Sequence, residues 1–355
     1  MGSTSPCGRV GGEILVTPAG ATAVALAWDA DHYLMAYVDP TSGLGDVVTQ
    51  RLAPDGSSIG AKSVVEASPG GAGHPALVKT KAGWLAIWQD GPSGAGSVRA
   101  RPLDPGGAPS GAAIEIAKSS AKEVRPTAVA TAKGVVGAWM DTSATFGAVR
   151  LATLGDDGVP APPSAVGLAT ADAVYPSLAS GPSGDVVVWS DKRAGQLDTR
   201  LRFITGTDEI ALRSGVDGDA LLPRVAPLPA GFAVAWEDTR GSDEQAYVAW
   251  TDAAGKKLGD AVVEQEQGST NWPRPAALGS RLAVVYYQFR TGKPEVYVAL
   301  FDDAMARVGD DAQISMSTKS ARFPEVAVAG SDLGVAWVDT RSGAQQAYFA
   351  RVACK

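Results

Sequence analysis

A proline-led apolar stretch that closes on Trp-x-Asp recurs along this chain at a nearly constant interval. PRVAPLPAGFAVAWEDTRG (223–241) returns as PEVAVAGSDLGVAWVDTRSG (324–343). The spacing from proline to aspartate is 15 positions in both, and again from Pro75 to Asp90, Pro126 to Asp141 and Pro176 to Asp191. Pro273 to Gln288 keeps the spacing with glutamine in the aspartate place, and Asp39 marks a further copy without the proline. The anchors fall at 39, 90, 141, 191, 238, 288 and 339, a period of 47 to 51 residues. A sustained period of this length means a repeat architecture, in which each unit buries its apolar face against the next.

One period reads as four short strands. In the last copy EVAVA is strand a, LGVAWVD strand b and QAYFARV strand c. Earlier copies add an Asp/Gly-rich turn (53–60, 103–111, 155–160, 251–259) and a strand d (63–67, 114–117, 262–265, 313–316). β-branched and aromatic runs between Gly, Asp and Pro are strand-and-turn sequence, and no segment sustains a helical period. Strand b is apolar on both faces: Phe232, Val234 and Trp236 oppose Ala233 and Ala235, and Leu333, Val335 and Trp337 oppose Gly334 and Ala336. A sheet wet on one side would alternate apolar with polar. Large faces that meet small ones suit four-stranded sheets arranged radially, so seven copies predict an all-β, seven-bladed β-propeller.

The ends of the chain fit a closed ring. The seventh copy stops after strand c, while GRVGGEILV (8–16) aligns with the turn and strand d of the sixth copy, 306–315. Residues 12–17 are expected to complete the last blade, within one domain over 12–353 preceded by an N-terminal segment, 1–11. The two cysteines, Cys7 and Cys354, then fall two alignment positions apart across a hairpin that the chain break has opened. That is within disulfide reach and implies a secreted, periplasmic or surface location. MGSTSP has neither the basic nor the apolar region of a signal peptide. Met1-Gly2-Ser3 reads as an added start, leaving room for a removed leader or lipid anchor.

The pattern of proline followed by Trp-x-Asp-x-Arg-x-Gly, an aromatic strand and an Asp/Gly turn resembles repeats of secreted or lipid-anchored bacterial β-propellers, over residues 12–353. It differs from the Gly-His and Trp-Asp signature of WD40 repeats and lacks the Ser-x-Asp-x-Gly-x-x-Trp box of sialidases. The resemblance implies the fold and leaves the function open, since such propellers bind, scaffold or catalyse.

The net charge of −7 argues against a nucleic-acid partner, and no apolar run reaches the ~18 residues of a membrane span. No Gly-x-Ser-x-Gly elbow, zinc ligand set or phosphate loop is present. The Asp-x-Arg pairs Asp191/Arg193, Asp238/Arg240 and Asp339/Arg341 are periodic. They are read as blade-building, the aspartate accepting turn N–H groups and the arginine packing over the neighbouring blade. Breaks in the repeat are the better site candidates. The residue before the proline varies as His74, Arg125, Tyr175, Leu222, Trp272 and Phe323, in the d–a connection near the channel. Copy six departs furthest, with Gln288, Phe289 and Arg290 beside Trp272 and Arg274. His74, Arg125, Tyr175, Trp272, Arg274, Gln288, Phe289, Arg290 and Phe323 are therefore the expected ligand-binding residues. The expected ligand is a carbohydrate, peptide or protein partner, with no catalytic residue and no required cofactor. Calcium at turns such as Asp156-Asp157-Gly158 and Asp302-Asp303 is the one metal left open. The alternatives are a hydrolase or lyase using carboxylates at the channel mouth, and an architectural module of a surface assembly.

Overall fold

The computed structural model describes residues 5–68, 70–91, 96–118 and 124–355. Seven antiparallel four-stranded sheets follow one another in the chain. No described helix is long and apolar enough to cross a membrane. The strands nearest the axis (strand a of each blade) are Val24–Asp29, Ala72–Lys79, Thr127–Thr131, Ala173–Gly181, Ala220–Leu228, Thr270–Leu278 and Ala321–Ala329. In blades one and five strand d starts earlier than expected, as Ser58–Glu66 and Lys257–Val262. The Asp/Gly turn closes there within a few residues, through Ala53 N–H to Ser57 O (2.8 Å) and Asp252 N–H to Lys256 O (2.9 Å).

The two apolar faces of strand b make the ring. Phe232, Val234 and Trp236 are wholly buried, and with Val186 and Val188 of blade four they form one cluster. Ala233 and Ala235 on the opposite face join Leu282, Val284 and Tyr286 of blade six. The same large-on-small pairing recurs between blades seven and one, where Ala336 packs with Tyr33 and Met35. Gly334 needs its missing Cβ here: a methyl would come within 2.5 Å of the Tyr33 ring.

Cys7–Leu15 is the outer strand of the last blade, antiparallel to Gln346–Cys354. It begins before residue 12, and Cys7 lies directly opposite Cys354 rather than two positions away. The two are disulfide-bonded across a sequence separation of 347. The unbroken pairing from Cys7 to Val10 explains the difference from the alignment, because the register shift in this strand comes only after Val10.

The Asp-x-Arg motif is a clamp at the b–c turn. Asp191, Asp238 and Asp339 are completely buried. Each accepts the indole N–H of its Trp, at 3.1 Å from Trp189, 2.8 Å from Trp236 and 3.2 Å from Trp337. Each also accepts the backbone N–H of its Arg, at 3.0, 3.0 and 2.8 Å, and pairs with that guanidinium. Arg240 and Arg341 lie 3.9 and 4.2 Å over Tyr247 and Tyr348 of strand c. The arginines thus pack within their own blade and not over its neighbour, because the turn returns the guanidinium onto strand c.

Candidate functional site

Five of the innermost strands share one irregularity. Ladder pairing breaks between Gly73 and Ala76, Val174 and Ser177, Leu221 and Arg224, Asn271 and Arg274, and Arg322 and Glu325. In each, a residue and the proline after it stand opposite one residue of strand b, the aromatic of Trp-x-Asp or Tyr286 in copy six. Blade three does the same with Arg125 and Pro126, between the Met140 N–H to Val124 O bond (2.8 Å) and the Thr127–Ala138 pair. Proline has no N–H for the ladder, and a two-against-one bulge accommodates that loss.

The residue before each proline is left-handed: φ is 47° at His74, 42° at Arg125, 58° at Tyr175, 51° at Leu222, 58° at Trp272 and 55° at Phe323. For non-glycine residues this costs about 1–2 kcal/mol each. Five of the six therefore lie inside strand a and not in the d–a connection, since pairing resumes on both sides of the bulge. Blade one has no proline and no bulge; its ladder continues from Val38 N–H to Ala23 O (3.1 Å) into the Val24–Tyr37 pair.

These bulges surround a cavity of about 440 Å³ lined by the innermost segments of all seven blades. His74, Arg125, Trp272 and Phe323 reach it from the pre-proline position. Arg224, Arg274 and Glu325 reach it from two residues further on. Trp272 and Phe323 meet edge to face at 5.1 Å. The Arg274 guanidinium lies 4.6 Å from the Trp272 ring centre, and the Arg125 guanidinium 5.4 Å from the centres of both Trp272 and Tyr175. Arg274 donates twice to Glu325 Oε1, at 2.7 and 3.0 Å. Two carboxylates hold Trp272: Glu237 accepts its backbone N–H at 2.7 Å, and Glu325 its indole N–H at 3.4 Å.

Arg224 stands among like charges in this space. Burial, with the like charges of Arg274 and Arg125, pushes the Arg224 guanidinium down to about 9, against the attraction of Glu325 and Glu237. Among the described residues Arg224 donates only to the carbonyl of Pro223, at 3.1 Å. Burial also pushes the Glu237 carboxyl above the usual carboxylate range, with Glu244 adding to the effect.

The structure therefore brings His74, Arg125, Trp272, Arg274 and Phe323 together, with Tyr175 behind Arg125. Phe289 stands one layer back, 6.0 Å from Tyr287, which in turn is 5.9 Å from Phe323. Gln288 and Arg290 belong to the clamp of blade six. Arg290 donates to Gln288 (2.7 Å), to the Tyr286 hydroxyl (3.1 Å) and to Asp311 (2.9 Å), which supplies the carboxylate missing from the turn.

Arg224, Glu325 and Glu237 were not among the sequence candidates. The first two stand at the residue after the proline, where the copies read Ala, Thr, Ser, Arg, Arg and Glu. That is as clear a break in the repeat as the position two residues earlier. At the acidic turns, Asp157 accepts Val159 N–H (3.0 Å), and Asp302 accepts the N–H groups of Ala304 and Ala306 (3.0 and 2.8 Å). No cluster of three or more metal-ligating side chains occurs among the described residues.

No family model matches the chain, and no curated protein matches it. Solved structures share the fold. Polysaccharide lyase Uly1 fits with a TM-score of 0.59 at 8% identity, over 95% of this chain and 90% of that one. Puromycin hydrolase fits with 0.57 at 15%, over 96% of this chain and 58% of that chain. The GH93 α-L-arabinofuranosidase of Fusarium graminearum fits with 0.52 at 12%, over 79% and 92%. At these identities the likeness is one of fold, and the fold serves a lyase and hydrolases alike.

Proposed function

We propose that this protein is an extracytoplasmic ligand-binding propeller that takes a small molecule, or the end of a glycan or peptide, into its axial cavity. The observation that carries this reading is the set of bulges that aim Trp272, Arg125, His74 and Phe323 into one space. Six left-handed residues in one ring are strain of the kind that collects at ligand sites. The cavity volume is that of a small-molecule site, with aromatic walls and a few convergent polar groups. The Cys7–Cys354 disulfide supports an oxidising compartment.

Screening the oxidised full chain against glycan and peptide panels, then titrating any hit by calorimetry, tests the reading. Trp272→Ala is expected to weaken such a hit at least about tenfold, the ~1.4 kcal/mol scale of a lost aromatic contact. Unchanged affinity in both Trp272→Ala and Tyr175→Ala would place the site elsewhere.

A hydrolase or lyase is the second reading. It rests on the two carboxyls around Trp272, with Glu237 pushed up by burial and Glu325 paired with Arg274. Turnover of a panel glycan or peptide that disappears in Glu237→Gln while binding persists would favour it.

A further inference from the structure

Resting on that axial-cavity reading, we infer that the ligand is an extended peptide, which pairs through its main chain with the open edge of Val24–Asp29 in blade one. The cavity lies off-centre. Among the described residues its lining runs through 22–26, 74–77 and 125–128 of blades one to three, whereas blades four and five supply only Pro176 and Arg224. Blade one is also where the ring of prolines is interrupted. Val24 stands 15 positions before Asp39, the place of the proline in the other six copies. It lies opposite Tyr37, the counterpart of the aromatic in Trp-x-Asp, and it keeps the N–H that a proline lacks.

The pairing direction turns that N–H toward the axis. Val24–Asp29 runs against His32–Asp39 without a register shift, and it is the edge strand of its sheet. Successive residues of an antiparallel strand present their N–H and C=O to alternate edges. Ala23 turns its carbonyl to strand b, accepting Val38 N–H at 3.1 Å, so Val24 and Leu26 present theirs to the open edge. Groups that recur every second residue, about 7 Å apart along the strand, match another extended main chain. In the other six blades the same level of strand a is taken up by proline and the left-handed residue before it. The lining around this edge is small or apolar, with Ala25, Leu26, Ala76, Leu77 and Ala128, and suits the side chains of such a peptide.

Native mass spectrometry of the oxidised full chain tests this, with an equimolar library of acetylated, amidated tripeptides and a parallel set of neutral trisaccharides. Tripeptides should be retained, and Trp272→Ala should weaken the strongest of them. Replacing single amides of that tripeptide by esters removes one N–H at a time and leaves the protein untouched. At least one ester should lose about tenfold in affinity by calorimetry, the scale of one unmade buried hydrogen bond. Val24→Pro, which installs the residue of the other six copies, should lose about as much with the amide tripeptide. In the wild type the Val24 amide should exchange about tenfold more slowly once the tripeptide is bound, a readout that does not depend on the variant folding. The inference is overturned if no tripeptide is retained, if every ester binds as the amide does, or if Val24 exchange is unchanged. Retention of a trisaccharide alone, in a Trp272-dependent way, would leave the axial site standing and remove its peptide preference. Tripeptide binding indifferent to both Trp272→Ala and Val24→Pro would remove the axial site as well.

Discussion

Asp238→Ala should lower the free energy of unfolding by about 3–5 kcal/mol, the cost of removing one partner from a buried ion pair. Asp238 is wholly buried and meets two guanidiniums. Arg240 closes the turn at 2.6 Å, and Arg213, whose side chain is 1% exposed, stands 3.2 Å away. Arg213 is also paired with Asp198 at 2.8 Å, but among the described residues the indole N–H of Trp236 has only Asp238. Truncation therefore strands a buried donor as well as part of a buried charge. Arg240→Ala should cost much less, because Arg240 is 23% exposed and water can replace it at the carboxylate.

For a chain of this size the Asp238→Ala loss corresponds to about 4–7 °C in melting temperature. Denaturant midpoints and thermal melts of the two variants decide the matter. A loss below that of Arg240→Ala would mean that the clamp does not hold the blade.

The same aspartate sets part of the acid limit. Hydrogen bonds from Arg240, Trp236 and Arg213 outweigh desolvation and hold Asp238 at about 2, against an ordinary value of 3.8. Because the folded value is depressed, this contribution is complete above pH ~4 and is lost as pH falls toward 2. Asp191 and Asp339 are shifted in the same direction by their own arginines. The slope of stability against pH between ~4 and ~2 should flatten in Asp238→Asn.

Replacing Cys7 and Cys354 by serine should remove about 2–5 kcal/mol, with about 5 kcal/mol as the upper figure for so long a loop in the chain-entropy model. The loss should be local before it is global. Cys7–Leu15 is the one strand of the last blade supplied from the other end of the chain. Without the disulfide it is held by its ladder, by Glu13 paired with Arg9 at 3.2 Å and Arg341 at 2.5 Å, and by its packing. Amide exchange in the serine variant should accelerate first at the Cys7–Leu15 and Gln346–Cys354 pair, and next at the interface with blade one. Uniform acceleration over all seven blades would instead mean that the ring opens as one unit.

Several features were legible because the repeat prints each of them more than once. Strand order, both faces of strand b and the periodic clamp follow from residues that recur at fixed spacing. Side-chain volume and hydrogen-bonding capacity leave few other uses for them. The pre-proline position stood out for the opposite reason, as a place where the copies disagree. Gln288 and Arg290 show the limit of that logic. They break the consensus, yet they rebuild the clamp with Tyr286 and with Asp311, 21 positions beyond Arg290. A carboxylate relocated that far along the chain leaves no mark in the local pattern. Arg224 and Glu325 escape the sequence pattern because a residue after proline has no special status until a bulge turns it inward.

The sequence by itself determined the number of blades, the strands within each and the return of the N-terminal strand to close the last blade. These depend on periodicity and on the burial of apolar faces, both local properties of the chain. Only the tertiary structure decided which charges meet. The guanidiniums of Arg125, Arg224 and Arg274 come from three different blades, and their convergence depends on ring closure and on bulges that re-aim side chains toward the axis. Electrostatic interaction depends on distance through space, and a period of about 50 residues hides that distance until the ring is built.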